Sequence, residues 1–83
     1  MFELESINLN KVGEGFVETS TNWKKYFKYL YSAKAFAEKE WIRLTAGRKN
    51  PEKIVWTKES GRNHHSQDLG FVQYNIRGIK LED

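Results

Sequence analysis

Apolar and polar residues alternate from the start of the chain, with Phe2 and Leu4 in one phase and Ile7 and Leu9 in the other. This is the pattern of a half-buried strand, and its slip by one residue at Ser6 predicts a bulge or twist there. Gly13-Glu14-Gly15 reads as a hairpin turn, since glycine reaches positive φ without steric cost. Phe16–Thr21 is the expected returning strand, and a break at Thr21-Asn22 separates it from a further strand at Trp23–Tyr31. In that segment Phe27, Tyr29 and Tyr31 share one face, and Lys24, Tyr26 and Lys28 share the other.

At Ser32 the apolar period changes from 2 to about 3.6. Ala33, Phe36, Ala37, Trp41 and Leu44 make one helical stripe, and Lys34, Glu38, Lys39 and Arg43 sit mostly opposite. Ser32 has the chemistry of an N-cap, Gly47 that of a residue just past the helix end, and Pro51 bars continuation. Ile54–Lys58 is expected as a strand, with Ile54 and Trp56 on one side and Val55 and Thr57 on the other. Residues 59–70 read as a polar loop bounded by glycines. Phe71–Leu81 closes the chain as a long strand in which Val72, Tyr74 and Ile76 share a face, with a slip of phase at Gly78. The predicted architecture is α+β: one antiparallel sheet in the order β-β-β-α-β-β, with the amphipathic helix packed across one face.

Length and composition bound what this fold does. Eighty-three residues predict a single domain, 1–83, with one thin core that leans on twelve aromatic side chains. The absence of cysteine excludes a disulfide framework and a thiolate metal site. No signal-peptide pattern opens the chain, and no apolar run approaches the ~20 residues of a membrane helix. The expectation is therefore a cytoplasmic protein with no membrane partner. The formal charge of +3 is unevenly spread: residues 1–22 carry −3, residues 23–49 carry +6, and the remainder is neutral.

The excess charge coincides with exposed-face aromatics, and this defines the candidate binding residues Trp23, Lys24, Tyr26, Lys28, Arg48 and Lys49, with Trp56 as a further anchor. Lysines attract phosphates and flat rings stack on unpaired bases. The same combination suits an acidic protein surface, where Tyr and Trp anchor interfaces. The plainer reading places the aromatics in the core and leaves the lysines to solubilise an outer face. His64 and His65 titrate near neutrality and, with Arg62 or Arg77 on a phosphate, would furnish a ribonuclease-like base. Neighbouring strand residues point oppositely, however, and the plainer reading is a solvated loop. No phosphate loop, zinc-ligand pair or nucleophile elbow is present, so no enzyme activity, catalytic residue, metal or cofactor is expected.

The passage KYLYSAKAFAEKEW (Lys28–Trp41) and the closing stretch GFVQYNIRGIKLED resemble the strand-helix passage and C-terminal strand of small proteins encoded by phages and mobile elements. In size and build the chain is similar to several anti-CRISPR inhibitors. The resemblance is one of architecture and implies a non-catalytic protein of a bacterial host cell that occludes a protein or ribonucleoprotein surface. It carries over no functional residue. A direct nucleic-acid-binding regulator is the alternative, and a small toxin-like ribonuclease the third reading.

Overall fold

A computed structural model describes residues 1–61 and 63–79. Strand β1 (Phe2–Val12) turns at Gly13, whose φ of 61° suits glycine, into β2 (Gly15–Phe27). Helix α1 (Leu30–Leu44) follows, and then β3 (Trp56–Lys58), β4 (His64–Ser66) and β5 (Val72–Gly78). All pairings are antiparallel, and the sheet order is β2-β1-β5-β4-β3. The class and the single antiparallel sheet with one helix agree with the sequence, whereas the element order is β-β-α-β-β-β rather than the expected β-β-β-α-β-β.

Three local causes account for the difference. First, the polar run at Thr19–Asn22 does not end a strand. Ser6 faces Trp23 while Ile7 faces Thr21, and Asn8 faces Ser20 while Leu9 faces Glu18, so Asn22 and Thr19 are extra residues of two bulges in one long strand. Asn22 Nδ2 donates to Ser6 Oγ (3.4 Å) and Thr19 Oγ1 to the Asn8 carbonyl (3.2 Å), which ties both bulges down. Second, α1 starts at Leu30, so Tyr31 lies in its first turn and Tyr29, not Ser32, is the N-cap residue. Leu30, Ala33, Ala37 and Trp41 continue one apolar stripe a turn earlier than the change of period suggests. Third, His64-His65-Ser66 is a strand inside the segment expected to be a loop. Ser66 Oγ accepts the Tyr74 N–H (2.9 Å), so this polar strand is held by a side chain as well as by its ladder.

The strand expected from Ile54 begins two residues later. The Gln67 side-chain amide occupies the chain there, accepting from the Val55 N–H and donating to the Lys53 carbonyl, each at 2.8 Å. The expected alternation survives: Ile54 and Trp56 pack against the core, and Val55 is exposed. At the helix end Thr45 Oγ1 donates to the Trp41 carbonyl (2.7 Å), and Gly47 adopts φ 94° two residues past this cap. Lys80 and Leu81 of the predicted closing strand lie outside the described residues.

One face of the sheet is buried. Leu4 stands opposite Ile76, and Ser6 stands between Tyr74 and Trp23, which sets these side chains under Ala33, Ala37 and Trp41 of α1. The two alanines let the helix approach β1, β2 and β5 closely. Trp41 anchors the following loop as well, its Nε1–H donating to the Glu52 carbonyl at 2.7 Å.

Tyr74 is fully buried and its hydroxyl has no hydrogen-bond partner among the described residues. Burial, with the Glu40 carboxylate adding to it, pushes its phenol up to about 12. The neutral form is thus favoured by the fold, so stability is complete below the unfolded value of about 10 and is lost as pH rises toward the folded one. Tyr74→Phe is expected to keep or raise stability at pH 7 by up to about 1 kcal/mol, since an unsatisfied buried hydroxyl is removed. Urea unfolding measured from neutral pH up to about 12 should show the alkaline loss attributable to Tyr74 in the wild type and not in this variant.

Candidate interaction surface

The helix covers one face of the sheet, and on the opposite face Lys24 and Tyr26 of β2 stay exposed although Glu3, Ile7 and Leu9 of β1 are buried. Glu3 faces Tyr26 on one side and Arg77 on the other, and Glu5 faces Lys24 and Asn75. Lys24 and Tyr26 therefore project from the helix-free face, as a binding patch requires. The face is not purely basic. The buried Glu3 carboxylate accepts from Arg77 Nη2 (3.0 Å) and from the Tyr26 hydroxyl (3.2 Å), and Lys24 Nζ lies 3.9 Å from it. A carboxylate held among three donors cancels part of the positive field that the lysines would otherwise project.

The remaining predicted residues fall elsewhere. Lys28 lies in the two-residue connection between β2 and α1, its Nζ 5.5 Å from the centroid of the Tyr29 ring. Arg48 and Lys49 follow the other end of a 15-residue helix, roughly 22 Å away at 1.5 Å per residue. The Arg48 guanidinium lies over the rings of Trp41 (5.9 Å) and Phe71 (5.4 Å), closing the end of the core, and Lys49 is exposed beside it. Trp23 and Trp56 are half-buried on the helix side of the sheet. Trp23 meets Phe36 edge-on at 5.6 Å and Tyr74 at 6.3 Å, which makes it part of the packing between sheet and helix. The seven residues thus divide among the open face, the strand-helix connection, the far helix end and the core.

Two residues assigned to the wrong element complete the most exposed aromatic group. Tyr29 and Tyr31 stack with centroids 5.3 Å apart and planes 13° from parallel. Their exposures are 49% and 69%, and that of neighbouring Tyr26 is 56%, so all three rings are largely in water. Tyr-x-Tyr spacing fits the same face of a strand, and only the helix start at Leu30 turns the pair into a surface stack.

The two histidines point to different surroundings. His65 Nε2 lies 3.3 Å from Glu59 Oε1, and its Nδ1 is 3.1 Å from the Ser66 carbonyl oxygen. His64 is buried, with its Nδ1 lacking a partner among the described residues, and burial followed by the charges of Lys34 and Lys58 holds its imidazole below the ordinary value. A cavity of 220 Å³ beside them is lined by Glu3, Glu5, Glu59, Asn63, His64 and Arg77 among others. Three carboxylates against one guanidinium, itself bound to Glu3, disfavour a phosphate, and this removes support from the ribonuclease reading. Arg62 lies outside the described residues. Among the described residues no group of three or more His, Asp or Glu side chains is placed to hold a metal ion. No described helix is long and apolar enough to cross a membrane. Comparison with family models, curated proteins and solved structures gives no match.

Depression of the His64 value has a definite sign. The unfolded chain takes up a proton below about 6.5 that the fold resists, so stability falls as pH drops below that point. Urea midpoints measured from pH 7.5 down to pH 5 should decline, by about the amount His64 controls, and the decline should shrink in His64→Leu.

Proposed function

We propose that this chain is a small non-catalytic binding protein that docks on a protein or ribonucleoprotein partner and occludes part of its surface, in the manner of a phage-type inhibitor. The observation that carries this reading is the exposed Tyr29–Tyr31 stack with Lys28 over the Tyr29 ring, and Tyr26 exposed at the end of β2. Tyrosine offers a large, rigid contact area with few torsions to freeze and a hydroxyl at its tip, which is why it recurs among interface anchors. The Tyr29–Tyr31 stack pre-organises two such side chains before any partner arrives. A protein partner is favoured over bare nucleic acid because Glu3 and Glu5 stand beside Lys24 on the same face, where phosphates would meet repulsion.

The nucleic-acid reading keeps one observation of its own: near-parallel tyrosine rings under a lysine provide a stacking platform for an unpaired base. It requires affinity that falls steeply with salt through counterion release.

A tagged pull-down from bacterial lysate after nuclease treatment should recover a protein partner. Against that partner, the triple variant Lys28→Ala/Tyr29→Ala/Tyr31→Ala is expected to lose at least about thirtyfold in affinity, roughly the value of one interface hot spot. Its melting temperature should stay within a few degrees, since these side chains lie outside the core. Unchanged affinity would refute the placement, and recovery that vanishes with nuclease would transfer the reading to nucleic acid.

A further inference from the structure

Strand β2 lies at one edge of the sheet, and among the described residues no strand pairs with its free side. We propose that two copies of this chain pair antiparallel through β2 about a twofold axis at Thr21, joining their sheets into one. This pairing takes up Lys24 and Tyr26 and leaves Lys28, Tyr29 and Tyr31 of the partner surface free.

The first ground is mechanical. β5 pairs with β1 only as far as Asn8, and one further bond joins the Leu9 N–H to the Phe71 carbonyl at 3.0 Å. Beyond that point the β1–β2 hairpin continues as a two-stranded arm through Val12 and Gly15 and lengthens the molecule to 45 Å against 26 and 20 Å in the other directions. The arm carries the exposed side chains of Val12, Phe16 and Val17. A two-stranded ribbon without a third strand is marginal in water. Pairing about Thr21 sets Gly15–Ser20 of each copy against residues 22–27 of the other, and that half of β2 is backed by both β1 and β5. Each arm thereby gains the third strand it lacks.

The second ground is charge and face. In this register Glu18 of one copy stands opposite Lys24 of the other, and Phe16 opposite Tyr26, each pair occurring twice. Within one copy, Phe16, Glu18, Lys24 and Tyr26 face Lys11, Leu9, Glu5 and Glu3, all positions of one phase in β1. The four side chains therefore project from the same helix-free face, and the cross-copy pairs meet on it. Registers shifted by two residues lose this match: one sets Glu18 against Asn22, the other sets it against Tyr26. Among the described residues Glu18 has no ion pair within its own chain, so the contact competes with nothing there.

The chain has no cysteine, which makes a single introduced thiol diagnostic. Thr21 is exposed, and at the twofold its Cα would face its own copy at about 4.5–5.5 Å, within disulfide range. Under mild oxidation, Thr21→Cys is expected to form a covalent dimer of twice 9.8 kDa at least tenfold faster than Glu18→Cys, whose thiols lie several residues apart in this register. Sedimentation of the wild type should show a reversible dimer, with Glu18→Lys raising its dissociation constant about tenfold through the Lys–Lys contact. Thermal melts of each variant report folding separately. A wild type that stays monomeric at about 1 mM overturns the proposal and leaves the edge to a strand of another protein. Equal cross-linking by the two cysteine variants overturns the register.

Discussion

Everything accessible on this molecule depends on which face of the sheet the helix covers. Ala33, Ala37 and Trp41 seat α1 against Leu4, Tyr74 and Ile76, and the small alanine side chains allow that approach. The contact consumes the aromatic residues of one phase, Trp23 among them, and leaves Lys24 and Tyr26 of the other phase exposed. Lys24 and Tyr26 are available to a partner because of that contact. Trp23 and Trp56 are packed side chains for the same reason, although their size alone marks them as binding anchors.

A single buried carboxylate then decides the character of the open face. Glu3 gathers Arg77, Lys24 and the Tyr26 hydroxyl, so one lysine of the basic segment is met in space by the acidic one. The polarisation of the linear chain, negative at its start and positive in its middle, is offset locally where Glu3 and Glu5 face Lys24 across the first hairpin. Exposed aromatics stand out beside the cations, and Tyr31 with Tyr29 under Lys28 is the most exposed of them. That balance suits a protein surface better than a phosphate backbone.

The elements with strong periodicity were legible before the structure. The first hairpin, the helix body and the phase of β5 follow from apolar spacing and the glycine turn, and the slip at Ser6 coincides with an observed shift of register. The short strand at His64–Ser66 was hidden because its residues are polar and its burial comes from neighbours, with Ser66 satisfied by the Tyr74 amide. Asn22 reads as a breaker in the sequence, whereas the fold absorbs it as a bulge by bonding its amide to Ser6. The candidate site was only partly legible for a related reason. Two bulges between the turn and Lys24 make the pairing of Glu3 with that segment impossible to count from the turn, so the carboxylate at the centre of the face carries no sequence signal.

We propose that the strand-helix connection, and not the far end of the helix, meets the partner. Site-specific photo-crosslinking tests it most directly, with a benzoylphenylalanine placed at Tyr31 or at Ile42, both well exposed and at opposite ends of α1. Irradiation in nuclease-treated lysate is predicted to capture one protein from the Tyr31 position and nothing from the Ile42 position. Capture from Ile42 with none from Tyr31 would contradict the account.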